Sequence, residues 1–295
     1  MFKIEGSPRI DEPMAEHSSF RIGGPADLYV LPADEEEAAR VLRVCARESV
    51  PVFVLGGGTN ILVSDRGIRG VVVDLSRLRG VRADGTLVVA KGGTPISDVA
   101  DFALSQGLRG MEFAFSLPGS VGGAVWMNAR CYGGEVSDVL EHADYLDTNL
   151  ERRHYRMRHE DWRYKHSPFQ DQKHVILSAG LRLAPGNPAE MQTLMQSHRA
   201  DRERKGHFLH PCAGSIFKNN RAFGAPTGQL IDSLGLKGTR LGGARVAPFH
   251  GNIFINTGEA RASDMLALIE LVSGEVRTHL GLELEREVIL VGDWE

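Results

Sequence analysis

Val54-Leu-Gly-Gly-Gly-Thr-Asn60 leaves an apolar strand and enters three glycines, whose missing side chains let backbone N–H groups approach phosphate oxygens closely. A pyrophosphate is a natural guest for such a turn. No Lys-Ser/Thr pair follows the glycines, so this is not a Walker loop, and the spacing is not the GxGxxG of a Rossmann fingerprint. A second loop, Ser116-Leu-Pro-Gly-Ser-Val-Gly-Gly-Ala-Val-Trp-Met-Asn-Ala-Arg-Cys-Tyr-Gly-Gly-Glu135, joins a Pro-Gly turn to small residues that permit packing against a flat ligand. Taken singly, the first loop reads as an ordinary tight turn; two in one chain point to a bridging dinucleotide. A third segment, Pro211-Cys-Ala-Gly-Ser-Ile-Phe-Lys-Asn-Asn220, sets a Gly-Ser pair before apolar residues and closes in Lys218-Asn219. Alone it reads as a turn entering a strand.

The elements that must position these loops follow from periodicity. Strand 26–31, helix 34–47 with an acidic first turn, and strand 52–55 make a βαβ-like beginning. Strands are expected over 71–75 and 87–90, and Thr94-Pro95 reads as the N-cap and first residue of a helix to Ser105. Residues 117–134 read as glycine-rich loop, 141–173 as charged strands and turns, and 175–183 as a strand. Pro185-Gly-Asn-Pro188 is a breaker cluster ahead of a charged helix over 189–205. A short helix is expected near 228–234. A longer one over 262–280, with Ser263 as N-cap and Gly281 as terminator, carries Met265, Leu268, Ile269, Val272 and Val276 on one face. That stripe is core. The closing run 284–291 reads as a strand that would point Glu285 and Glu287 to one face.

At 295 residues, 42% hydrophobic and 24% charged, the composition is that of a globular enzyme. A net charge of -4 gives no basic footprint, so nucleic acid and anionic membranes are not expected partners. Three widely spaced cysteines, Cys45, Cys131 and Cys212, fit neither a disulfide framework nor a metal site, and imply a reducing cytoplasm and no metal. The first eight residues lack the apolar region of a signal peptide, and no run approaches the ~20 apolar residues that span a bilayer.

Ser18-Ser-Phe-Arg-Ile-Gly-Gly-Pro-Ala26, the Gly56 loop, Leu117–Ala124, Met127-Asn-Ala129, Tyr132-Gly-Gly-Glu135, Ala213-Gly-Ser-Ile-Phe-Lys-Asn219 and Leu284-Glu-Arg-Glu-Val288 together resemble, in order and over nearly the whole chain, the UDP-N-acetylenolpyruvoylglucosamine reductases. The resemblance implies an α+β protein: two α/β subdomains of the vanillyl-alcohol-oxidase type, at 1–76 and 77–187, clasping FAD without a covalent link, and a substrate-binding domain at 188–295. Cofactor contacts are then expected at Gly56, Gly57, Gly58, Thr59, Asn60, Ser116, Pro118, Gly119, Ser120, Gly122, Gly123 and Asn128. The spacing between Asn128 and Ser215 lacks an insertion for a substrate-covering tyrosine loop, which implies the shorter, second type of the family.

The resemblance further implies that NADPH supplies, through FAD, a hydride for the enolpyruvyl double bond of UDP-N-acetylglucosamine enolpyruvate, giving UDP-N-acetylmuramate for cell-wall precursor synthesis. Hydride addition leaves an enolate-like species, so the protein must stabilise negative charge and then donate a proton. Residue by residue, Ser215 matches the general acid and Glu287 the catalytic glutamate, with Glu285 as fallback. The family's Tyr-Arg-x-Ser reads Tyr164-Lys-His-Ser167 here, so Lys165 brings a point charge in place of a bidentate fork. The usual Asn-Ala-Gly-Ala-Tyr-Gly reads Asn128-Ala-Arg-Cys-Tyr-Gly133, which offers Arg130 as a compensating arginine, with Arg163 next. Asn219 and Lys205 are candidates for gripping the UDP-sugar. Cys131 and Cys212 are expected to be inert thiols. The competing readings are another oxidoreductase of the same flavin fold, and a non-catalytic nucleotide-binding relative.

Overall fold

The computed structural model describes residues 8–295; residues 1–7, which carry most of the leader-peptide reading, lie outside it. Helices and strands are mixed in an α+β order, and contacts divide the chain into two compact units. One comprises residues up to Ile10, Leu28–Gly57 and Gly70–Asp201; the other comprises Asp11–Asp27, Gly58–Arg69 and Arg202–Glu295.

The first unit holds two hydrophobic cores. Helix α1 (Glu35–Arg47) starts where Asp34 Oδ1 accepts the Glu37 N–H at 2.8 Å and the Glu37 carboxylate accepts the Ala33 N–H at 2.6 Å. Its Ala38, Val41, Leu42 and Cys45 form the smaller core with Val30, Val71, Val73 and Leu177. Strand Val52–Leu55 lies parallel to Ile68–Asp74, Val52 opposite Val71. The larger core lies against a five-stranded sheet in the order Arg152–Arg156, Leu140–Leu146, Val175–Arg182, Leu87–Lys91, Val81–Asp84. Ala143, Ala179 and Ala90 stand side by side across three of these strands, all fully buried. Helices α2 (Ile96–Ser105) and α3 (Val121–Trp126) cover that sheet, α3 directly on Val175–Arg182.

Two expectations change here. Pro95 flanks α2 instead of opening it, because the Thr94 hydroxyl bonds the Gly80 backbone at N–H (3.0 Å) and C=O (3.1 Å). The supposed loop 117–134 contains α3, since Ser120 Oγ accepts the Gly123 N–H at 3.2 Å. The one-turn helix α4 (Pro168–Asp171) follows, and α5 (Pro188–Arg204) starts at the breaker cluster and sends Met195 into the larger core.

The second unit is organised by α6 (Thr227–Ser233) and α7 (Ala262–Leu280). The stripe Met265, Leu268, Ile269, Val272 and Val276 is buried with Ala244, Val246 and Phe254 of a three-stranded sheet, Arg240–Leu241, Ala244–Val246, Phe254–Asn256. Leu268→Ala would cost roughly 2–5 kcal/mol. Gly281, at φ 67°, ends α7 as expected. Ser263 does not cap it. Asp65, distant in sequence, accepts the N–H groups of Ala262 (2.7 Å) and Ser263 (3.0 Å) and the Ser263 hydroxyl (2.8 Å).

Candidate active site

In the first unit, the two glycine loops meet. A Cβ on Gly57 would stand 2.6 Å from Gly119 Cα, a backbone atom, so only glycine allows the approach there; one on Gly56 would stand 2.6 Å from the Ser120 Oγ. The first turn of α3 is not free to donate: Val121 N–H reaches Thr94 O and Gly122 N–H reaches Gly92 O, both at 2.8 Å. Gly122 and Gly123 can therefore offer a ligand close approach, but not new donors. Ser116 holds a left-handed backbone at φ 60°, and its buried hydroxyl has no hydrogen-bond partner. Strain and an orphaned polar atom on one turn are the features a ligand resolves. Two glycine turns in contact, with an unsatisfied buried hydroxyl beside them, have the chemistry to take an FAD pyrophosphate.

The same unit builds a second constellation. Asn128, fully buried at φ 44°, donates from Nδ2 to Arg163 O (3.1 Å) and accepts the Ser137 N–H at Oδ1 (3.0 Å). Arg163 and His166 exchange backbone bonds at 3.0 and 3.1 Å, which puts Tyr164 and Lys165 at the tip of a tight turn, Lys165 at φ 57°. Ser167 Oγ donates to Trp126 O at 2.6 Å and Gln170 Nε2 donates to the same oxygen at 2.7 Å, anchoring that turn. The Arg130 guanidinium carbon lies 5.8 Å from the Tyr164 ring centroid and its nitrogen 3.5 Å from Glu135. Arg130 thus stands against the turn that bears Lys165, while Arg163 is exposed at its base. A groove of about 590 Å³ lined by Arg109, Glu112, Arg182 and Leu194, among others, contains none of these residues.

In the second unit, Gly58 turns at φ 63° where a Cβ would be 2.0 Å from His17 O, and its carbonyl accepts the Ser19 N–H at 2.9 Å. Thr59 and Asn60 are half-buried. Asn60 Nδ2 donates to Glu287 O at 3.1 Å and Asn60 O accepts the Ile289 N–H at 3.0 Å, so the end of the first glycine loop fixes the Glu287 backbone. Ser215 follows Gly214 (φ 74°) and forms a bridge with Ile253. Next to it, Ile216 accepts the Glu287 N–H at 2.7 Å. Ser215 and Glu287 are both half-buried.

The expected strand 284–291 is regular only over Ile289–Val291, parallel to Ile61–Val63. Upstream, pairing with the Ser215 segment is confined to an isolated Phe217–Arg286 bridge and irregular backbone bonds, so the run does not propagate as a strand. Exposed Glu285 is paired with Lys218 Nζ at 2.6 Å. Exposed Asn219 accepts the Thr227 N–H at 2.9 Å at the start of α6, and Lys205 is exposed just past α5. Burial raises the Cys212 thiol pKa, in keeping with an inert role. Glu12, Glu16 and His17 bring donor atoms within 4.8 Å of one another, but Glu12 and His17 already bond each other at 2.7 Å.

Two residues escaped sequence reasoning. Asn252 and Asn256 lie in the apolar run Ile253-Phe-Ile255 and its edges, and both are buried. Asn256 Nδ2 donates to Phe20 O at 3.0 Å and its Oδ1 accepts the Gly258 N–H at 2.8 Å, tying the Ser18–Ala26 motif in place. The available signal was an amide at each end of a strongly apolar strand.

Residues 26–151 match the FAD binding domain family, and residues 206–291 match the C-terminal domain of UDP-N-acetylenolpyruvoylglucosamine reductase. The chain is 41% identical to the UDP-N-acetylenolpyruvoylglucosamine reductase of Treponema denticola, over 98% of this chain and 95% of that protein. It is 41% identical to that of Caldanaerobacter subterraneus subsp. tengcongensis, with the same coverage. Among solved structures, UDP-N-acetylenolpyruvylglucosamine reductase from Thermus caldophilus superposes with a TM-score of 0.82 at 29% identity, covering 98% of this chain and 100% of that one.

Proposed function

We infer the roles of individual residues from one premise: the chain belongs to the UDP-N-acetylenolpyruvoylglucosamine reductase family, and it is an FAD-dependent enzyme that uses NADPH to convert UDP-N-acetylglucosamine enolpyruvate to UDP-N-acetylmuramate, a step of peptidoglycan precursor synthesis. FAD, when bound, relays hydride from NADPH to the terminal carbon of the enol ether. The chain's own task is to seat the cofactor, hold the substrate, stabilise the carboxylate-conjugated charge and deliver one proton to the adjacent carbon.

Ser215 donates that proton, and solvent restores it to the hydroxyl. Glu287, when its carboxyl carries a proton, donates a hydrogen bond to the developing enolate. The observation that carries this pair is the 2.7 Å bond from Glu287 N–H to Ile216 O, which registers the two residues on adjacent backbone of one unit. Lys165, on its turn, and Arg130, packed against that turn, supply positive charge, the arginine restoring the planar fork that Lys165 lacks. Gly56–Asn60 and Ser116–Gly123 seat the pyrophosphate, with Pro118 shaping the second loop and Asn128 bracing the Tyr164-Lys165 turn. Asn219 and Lys205 grip the UDP-sugar, Lys205 as a point charge for phosphate. From the family resemblance we assign FAD-binding subdomains to 1–76 and 77–187 and the substrate domain to 188–295. No helix among the described residues is long and apolar enough to cross a membrane, and we assign the enzyme to the cytoplasm on its cysteine usage.

Ser215→Ala tests the assignment. Formation of UDP-N-acetylmuramate should fall about 10²–10⁴-fold, the range of a lost general acid, while NADPH still bleaches the flavin at the wild-type rate. Full product formation by Ser215→Ala would remove Ser215 from the chemistry.

A further inference from the structure

We propose that Asn252 is a positioning residue for Ser215: its buried amide fixes the Ser215–Phe217 backbone in register for proton delivery, and His250 holds Asn252 in turn. The proposal rests on the reading of Ser215 as proton donor. Asn252 is 2% exposed. Its Oδ1 accepts the Phe217 N–H at 2.9 Å and its Nδ2 donates to Phe217 O at 2.8 Å, closing both sides of one residue's backbone. Its backbone C=O accepts the Ile216 N–H at 2.9 Å, and Ser215 is bridged to the neighbouring Ile253.

These bonds replace a strand ladder. Residues 215–218 are not part of a regular strand; beside the Asn252 bonds, Ile216 O accepts the Glu287 N–H at 2.7 Å and Glu285 O accepts the Lys218 N–H at 2.8 Å. An apolar residue at 252 would leave the Phe217 N–H and C=O without their side-chain partners inside the fold.

The Asn252 N–H donates to His250 Nδ1 at 3.1 Å, which requires that nitrogen to be unprotonated. Partial burial, and then the charges of Lys205 and Lys237, hold the His250 pKa below the ordinary histidine range. The His207 ring lies 6.2 Å away, and Asp232 faces Lys237 at 2.8 Å. The turn is fixed on α6: a Cβ on Gly228 would be 3.0 Å from His250 Cε1, and one on Gly251 would be 2.3 Å from Gly228 O.

The test compares wild type, Asn252→Ala, His250→Leu and His250→Asn in three readouts: amide hydrogen exchange at Phe217 in ligand-free protein, flavin bleaching by NADPH, and flavin recovery on adding the enolpyruvyl substrate. In N252A, Phe217 exchange should speed, bleaching should keep its wild-type rate, and recovery should slow about 10- to 100-fold with a larger solvent deuterium isotope effect, as expected of a misplaced reacting group. H250L should repeat the pattern more weakly, and supplies the comparison if N252A does not fold. H250N keeps an acceptor near the Nδ1 position, so it should restore most of the H250L loss. Recovery unchanged in N252A and H250L, or slowed only as much as bleaching, overturns the positioning role. Full product formation by Ser215→Ala, measured alongside, would overturn the proton-donor reading itself, and is distinguished from failure of the positioning role, which N252A and H250L report.

Discussion

Gly57→Ala should weaken FAD binding by a steric mechanism whose size can be worked out. The added Cβ would lie 2.6 Å from Gly119 Cα and 3.0 Å from both Gly119 C and Ser120 N, against 3.4 Å or more for ordinary contact. All three neighbours are backbone, so no side chain can rotate away; the loops must part by roughly 0.8 Å at the closest pair. Overpacking of this kind costs about 1–3 kcal/mol. If the apoprotein relieves the strain by opening and must restore the spacing to bind, the whole cost falls on affinity, a loss of about 5- to 150-fold at 1.4 kcal/mol per decade. Titration of apoprotein with FAD, followed by flavin fluorescence, measures this directly, and thermal denaturation of the apoprotein shows how much strain appears there instead. Gly56→Ala should be milder, since its neighbour is the movable Ser120 hydroxyl. Wild-type FAD affinity together with wild-type apoprotein stability in G57A would refute the idea that contact between these two loops forms the cofactor seat.

Gly274→Ala, within α7 and with nothing inside 4 Å of the added Cβ, should stabilise the protein by about 0.5–1 kcal/mol in denaturant titration; a loss would mean that α7 is packed more tightly there than it looks. Partial burial alone would raise the Asp65 pKa, but donors from Ser263 and Ala262 and the Arg261 charge hold it below the ordinary carboxylate range. A depressed folded-state pKa stabilises above the unfolded value of about 3.9 and loses that effect as pH falls through the lower folded value. Asp65→Ala should therefore cost about 1–2 kcal/mol at neutral pH, with the gap from wild type narrowing below about pH 4; a pH-independent gap would contradict the capping account. Arg130→Ala should slow reduction of the enolpyruvyl substrate much more than flavin reduction by NADPH, and Lys165→Arg added to it should recover part of the loss. Equal slowing of both half-reactions, or of neither, would remove Arg130 from the charge-stabilising role.

Where local physics decides, the sequence is readable. Val52–Leu55 and Ala262–Leu280 fall where apolar period and flanking glycines place them, and α1 begins at an Asp-x-x-Glu cap visible in the chain. Where a distant partner decides, it is not. Thr94 satisfies the Gly80 backbone instead of capping α2, and Asp65 caps α7 in place of Ser263. The strand expected at 284–291 shortens because its first half meets only the irregular Ser215 segment. Glycine density and the ordered motifs single out both loops, and Ser215 and Glu287 as candidates, whereas the contact of the loops at Gly57 and Gly119 depends on fold. Asn252 was invisible for a different reason: a lone amide in an apolar run signals a buried partner without saying which one. Arg130 was legible as an anomaly, and its place over Tyr164 links it to the Lys165 turn.

The most direct test of the account is anaerobic stopped-flow absorbance of the FAD-loaded protein, first with NADPH and then with UDP-N-acetylglucosamine enolpyruvate. The account predicts two phases: flavin absorbance bleaches with NADPH and returns on adding the enol ether, with UDP-N-acetylmuramate as product. Bleaching without substrate-driven return would contradict the assigned substrate, and failure to bind FAD at all would contradict the cofactor seat from which the account is built.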